Sequence, residues 1–212
     1  MTHIGHSEKI FIMKRLLLIL IITLSFHSLT KADDISDFEI EGISVGDSLL
    51  EFFNTNTIKA ARKYDYDNDK FYTIDVWSDK FIQYDGMQFH LKKNDTKYKI
   101  YGFTGALTFG DMSKHYPESE NECKKQKNII IKDIDDVFLN ADKRSHSGIG
   151  GISNDPNVIR HDTYYSLENG SVWLQCYTFS KIPKKKDGLI DNLRTTILSL
   201  EFQNWMSNEA YN

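Results

Sequence analysis

Between residues 33 and 212 the apolar and polar positions form short alternating runs, interrupted by two stretches with helical spacing. The segment IEGISVGDSLLEFF, from Ile40 to Phe53, reads as a short strand, a Gly turn, then Asp47 or Ser48 as an N-cap with Leu49, Leu50, Phe52 and Phe53 behind it. That first helix resumes at Ile58 to Arg62. Phe71 to Trp77 (FYTIDVW) is aromatic and β-branched, which favours a strand. Gln83 to Lys93 and Lys97 to Phe109 are two further strands about the turn Asn94, Asp95, Thr96.

The second half repeats this order. Within Asp111 to Asn140, Cys123, Ile130, Ile134, Val137 and Phe138 recur as one face of a helix. Glu118, Glu120 and Glu122 crowd its start, where the helix dipole favours anions. Ser145 to Asn157 (SHSGIGGISNDPN) is rich in Gly, Ser and Asn and reads as a loop, long enough to form a flexible rim or binding loop. Asp162 to Leu167 and Ser171 to Ser180 form a hairpin about Glu168, Asn169 and Gly170. Leu193 to Phe202 is a last strand, followed by a tail around Trp205 and Met206. The implied fold class is α+β, an antiparallel sheet with helices packed on one face. Helix, three strands, helix, three strands further suggests a duplicated unit.

Upstream, Met13, Lys14 and Arg15 precede an apolar run from Leu16 to Leu24, and Thr30, Lys31 and Ala32 place small residues before Asp33. This is the pattern of a secretory signal peptide cut after Ala32, with residues 33–212 as one domain. The run is shorter than the roughly 20 apolar residues a bilayer span requires, so no stable membrane anchor is expected after cleavage. Met13 would itself start a leader of ordinary length, which leaves Met1 and Met13 as alternative starts.

Charge narrows the partners. Lys and Arg total 26 against 30 Asp and Glu, and removal of residues 1–32 leaves 22 bases and 29 acids, a net charge of −7. A phosphate backbone or anionic bilayer is a poor match for that balance. The one tight basic run, Lys184 to Lys186 after Pro183, reads as a solvated loop.

Cys123 and Cys176 are the only cysteines. Export would place them in an oxidising compartment, where a disulfide is the leading reading; free buried thiols and a reactive cysteine beside a base such as His161 are the alternatives. On its strand Cys176 shares a side with Val172, Leu174 and Thr178, toward the helix that carries Cys123. Trp173, Gln175, Tyr177 and Phe179 take the other side, where an aromatic face would serve as a second core, a partner surface or a ligand platform.

Motifs for chemistry are sparse. Asp65, Asp67 and Asp69 copy the first ligand positions of a calcium loop, but Lys70 stands where that turn needs Gly and Val76 where it needs Glu. The histidines His90, His115, His146 and His161 have no helical metal-ligand spacing. Gly148, Gly150 and Gly151 lack the Lys-Ser/Thr of a phosphate loop, and neither Ser147 nor Ser153 lies in a GxSxG elbow. No metal, cofactor or catalytic set is therefore assigned.

The IxVGDSLLEFF opening, KYKIYGFTGAL, CKKQKNIIIKDIDDVF and LRTTILSLEFQNW together resemble a group of small exported bacterial proteins of unknown function. The IxVGDS turn also resembles the opening of BamE and beta-lactamase-inhibitor-like modules, which implies an exported helix-plus-sheet domain that acts by binding proteins. BamE proteins are lipid-anchored through an N-terminal Cys that this chain lacks. The expected function is a periplasmic, non-enzymatic binding or protein-interaction module with an unknown protein or small molecule as partner. Its binding surface would use Trp173, Tyr177, Phe179, His146 and Asn154. Two alternatives are a small-ligand carrier with an aromatic pocket, and an enzyme whose site is assembled from scattered residues such as His161, Asp162 and Tyr164.

Overall fold

In the computed structural model the described residues are 34–109, 119–150, 156–180 and 189–211, all within one compact unit, Ala32–Asn212. The leader, its cleavage position, Asn154, His115 and Lys184 to Lys186 lie outside them.

The centre of the fold is an eight-stranded antiparallel sheet. Its strands are β1 (Arg62–Asp65), β2 (Phe71–Trp77), β3 (Gly86–Lys92), β4 (Ile100–Phe109), β5 (Asp142–Ile149), β6 (Ile159–Leu167), β7 (Gly170–Thr178) and β8 (Asp191–Ser199). They lie in the order β1-β2-β3-β4-β8-β7-β6-β5, so each half of the chain contributes a four-stranded meander and β4 pairs with β8 in the middle. Each half was expected to hold three strands. The fourth is β1 in the first half and β5 in the second; both are edge strands. Every residue of β5 from Asp142 to Ser147 is exposed, so burial never imposed an apolar alternation there, and five residues of the expected Ser145 to Asn157 loop are strand instead.

Among the described residues three α-helices accompany the sheet: α1 (Thr55–Ala60), α2 (Ser119–Val137) and α3 (Leu200–Asn208). The first expected helix is divided. Ser48 caps only a 3-10 turn, Leu49–Glu51, and the α-helix starts after a second cap at Asn54, whose side chain accepts from Thr57 N–H. Helix α2 presents the expected face, with Cys123, Ile134 and Phe138 buried and Ile130 and Val137 packed beside them. Lys127 shares that buried face, donating from Nζ to the His161 carbonyl at 3.0 Å. Burial pushes its ammonium below the usual lysine range.

The last strand ends at Ser199, not Phe202. The Ser199 hydroxyl accepts from Phe202 N–H, and the apolar run continues as α3 with Phe202 and Trp205 buried three residues apart. The turn reverses the chain onto the opposite side of the sheet from α2, where Phe202 stacks on His90 with ring centroids 4.3 Å apart. Helices therefore cover both faces, which corrects the expectation of one. The large core, built from Phe89, Phe103, Leu174 and Ile197 among others, lies under α1 and α2. A smaller one of Phe71, Leu198, Phe202 and Trp205 lies under α3.

Cys123 and Cys176 form a disulfide with Cα atoms 5.9 Å apart, stapling α2 to β7. Among the described residues no helix is long and apolar enough to cross a membrane.

Candidate functional site

Helix α3 is only nine residues long and covers one end of its sheet face. Beside it on the same face lies a groove of about 550 Å³, within the size range of small-molecule sites. Strand register lays out its floor in rows. One row runs Asp75, Gln88, Thr104, Thr196, Trp173, and the next Trp77, Gly86, Ala106, Arg194, Gln175. Small side chains in the middle and large ones at the margins make the surface concave. A Cβ on Gly86 would stand 2.6 Å from the Trp77 indole, so the missing side chain is what lets this exposed tryptophan lie against the sheet. Phe202 and Met206 close the end under α3, while Phe179, Leu189 and Asn192 line the other.

Polar groups of the floor are paired in ways that hold their positions. Gln88 Nε2 donates to Asp75 Oδ1 at 2.8 Å, and the Thr104 and Thr196 hydroxyls are 2.9 Å apart. Arg194 is exposed; its Nε donates to Asn192 Oδ1 at 3.2 Å, and its guanidinium lies 5.1 Å from the Tyr177 ring centre. Arg160 also lies over that ring, at 5.6 Å, but it is ion-paired with the buried Asp162 carboxylate. Among the described residues Arg194 has no such carboxylate. Burial pushes the Tyr177 phenol up, against the pull of the two guanidinium groups.

Of the surface expected from sequence, Trp173 and Phe179 line the groove. Tyr177 is buried beside it, stacked on Phe179 at 6.1 Å, and together with Val158 they form a small core of their own. The aromatic side is thus part second core and part groove wall. His146 is on the same sheet face but on the exposed edge strand β5, separated from β7 by β6 and Asp162, and it does not line the groove.

The scattered catalytic set is not assembled. Asp162 and Tyr164 point to the groove face, and His161, the intervening residue, to the α2 face. There His161 Nδ1 is 2.8 Å from Ser147 Oγ and Nε2 is 2.9 Å from Glu120 Oε1. Hydroxyl, imidazole and carboxylate stand in the sequence that general-base activation of serine uses. Glu120 also accepts from Lys124 Nζ at 2.6 Å, and these two partners, Lys124 foremost, hold its carboxyl below the usual range. The lysine draws carboxylate charge away from the ring. Asp65 and Asp69 share the Lys93 ammonium, which neutralises the acidic turn from within.

Sequence reasoning missed Trp77, Gln88, Thr104, Arg194, Thr196, Phe202 and Met206. The alternation in β8 does put Arg194, Thr196 and Leu198 on one side, and that signal was legible. What alternation cannot supply is the neighbour: Thr104 and Thr196 meet across a separation of 92 residues. Comparison with known protein families, with curated proteins and with solved structures returns no match to this chain.

Proposed function

We propose that this chain is an exported, non-enzymatic binding protein of the periplasm, and that it holds a small molecule in the groove between Trp77, Trp173 and helix α3. The observation that carries the reading is the groove itself, about 550 Å³ with apolar margins and a floor of oriented polar groups. Such sites owe affinity to apolar walls and orientation to a few placed polar groups. The Cys123 to Cys176 disulfide supports export, because such bonds persist in oxidising compartments. We also propose that the halves are copies of one unit. In support, each runs helix then four-stranded meander, and the strand order mirrors about β4 and β8.

Native and denatured intact mass of the protein exported to a bacterial periplasm tests this reading. The denatured chain is expected to start at Asp33 and to lack two hydrogens, and the native ion to carry an added small molecule. Emission of Trp77 and Trp173, separated by single Trp→Phe variants, is expected to shift when that molecule is returned to stripped protein. A full-length mass with free thiols would overturn export, and emission unmoved by a broad metabolite panel would overturn the groove assignment.

A hydrolytic reading has one observation in its favour, the Ser147, His161 and Glu120 row. It requires fluorophosphonate labelling that is lost in Ser147→Ala; wild-type protein that takes no label would remove it.

A further inference from the structure

Among the described residues lining the groove two carry charge, and they stand on opposite sides of it. Asp75 is on β2 and Arg194 on β8, three strand spacings apart, about 14 Å at roughly 4.8 Å each. Asp75 is half-buried and has the Gln88 amide as its partner. Arg194 is held differently: Asn192 engages Nε and the Tyr177 face supports the guanidinium, while neither terminal nitrogen has a protein partner among the described residues. An arginine anchored through Nε keeps its two terminal NH2 groups for a planar anion, which a carboxylate can engage through two parallel hydrogen bonds. Asp162, on the same face of the sheet, lies beyond Gln175 and is paired with Arg160.

From Arg194 the floor becomes steadily more apolar along β8. Thr196 follows beside Trp173, then Leu198, then Phe202 and Met206 of α3. Leu198 is four residues along the strand from Arg194, about 14 Å at roughly 3.4 Å per residue. His90 borders this end but carries no charge near neutral pH, since burial holds its pKa down at about 3.

Building on the groove reading above, we propose that its ligand class is a single-chain amphipathic anion. Its carboxylate-like head sits on Arg194 and its apolar body runs along Thr196 and Trp173 toward Phe202 and Met206. Asp75 disfavours a second anionic group on the far side. The anion is taken as a free molecule, in keeping with the net charge of −7 on residues 33–212, which opposes adsorption to an anionic bilayer.

Laurate, dodecanol and dodecyltrimethylammonium share a tail and differ in head charge. Titrated below their micelle concentrations, with Trp77 and Trp173 emission as readout, they separate the head group from the tail. Laurate is expected to bind at least tenfold more tightly than the other two. Arg194→Gln, an exposed substitution whose fold circular dichroism checks, is expected to abolish that preference and leave dodecanol affinity within about twofold. Equal binding of all three probes by wild-type protein would overturn the anionic class and leave the groove reading standing. Silence toward all three would overturn the amphipathic class, while the native mass still decides whether the groove is occupied. A laurate preference that survives in Arg194→Gln would overturn the assignment of the head-group site. Sedimentation of the protein with phosphatidylglycerol vesicles, together with no response to monomeric laurate, would move the anion to a bilayer surface and overturn the proposal.

Discussion

His90 shows how one buried residue ties stability to pH. Its ring is stacked on Phe202, and Nδ1 is 2.9 Å from Thr73 Oγ1 and 3.2 Å from Tyr66 Oη. Burial lowers its pKa from 6.5 to about 3, so the unfolded chain takes up a proton that the folded chain refuses. Its contribution to stability is full above pH 6.5 and is lost as pH falls toward 3, with a limiting slope of about 1.4 kcal/mol per pH unit. Between pH 7.5 and 5, above the range of the paired carboxylates, the urea midpoint of the wild type is expected to fall and that of His90→Gln to stay flatter. Parallel curves would refute this account. The burial of His90 was not legible in the sequence, because it depends on α3 folding back over β3.

At the scale of elements, the connections between helix and sheet matter most. The disulfide joins α2 to β7 and closes a loop of 53 residues. Restricting the unfolded chain over such a length stabilises by about 4 kcal/mol in the chain-entropy account. Cys123→Ala with Cys176→Ala is therefore expected to lower the unfolding free energy by about 2–5 kcal/mol, read from urea denaturation under oxidising conditions. Reducing agent should destabilise the wild type and leave the double variant unchanged. A tight contact between strands β7 and β8 lies at Gly170, where an added Cβ would collide with the Leu198 carbonyl oxygen, a backbone atom with little room to move. Gly170→Ala is expected to cost about 1–3 kcal/mol as an overpacked site, measured the same way. Strand β2 and the apolar face of α2 were legible because burial on one side writes a period into the sequence. Strand β5 was not, since an exposed edge strand carries no such period.

Across the whole molecule, the pairing of β4 with β8 makes one sheet of two meanders. Without it each meander would present a long unpaired edge, and the groove, whose floor crosses that junction, would be cut in two. Unfolding is accordingly expected to be a single transition, with tryptophan emission and far-ultraviolet dichroism coincident in urea. Either half expressed alone is expected to aggregate or remain unfolded. Separated transitions would show that the halves are independent units.

The sequence by itself determined the fold class, the local order of most strands, the face of α2 and the side of β7 on which Cys176 lies. All of these are written in periods of two or 3.6 residues. It also held Trp173 and Phe179 on one side of one strand. Only the tertiary structure decided that β4 and β8 are neighbours, that α3 turns onto the face opposite α2, and that Arg194 stands in a groove with no carboxylate of the described residues paired to it. The physical reason is that periodicity records which side of an element is buried, whereas a site is made by elements distant in the chain, whose pairing is set by the packing of the entire sheet.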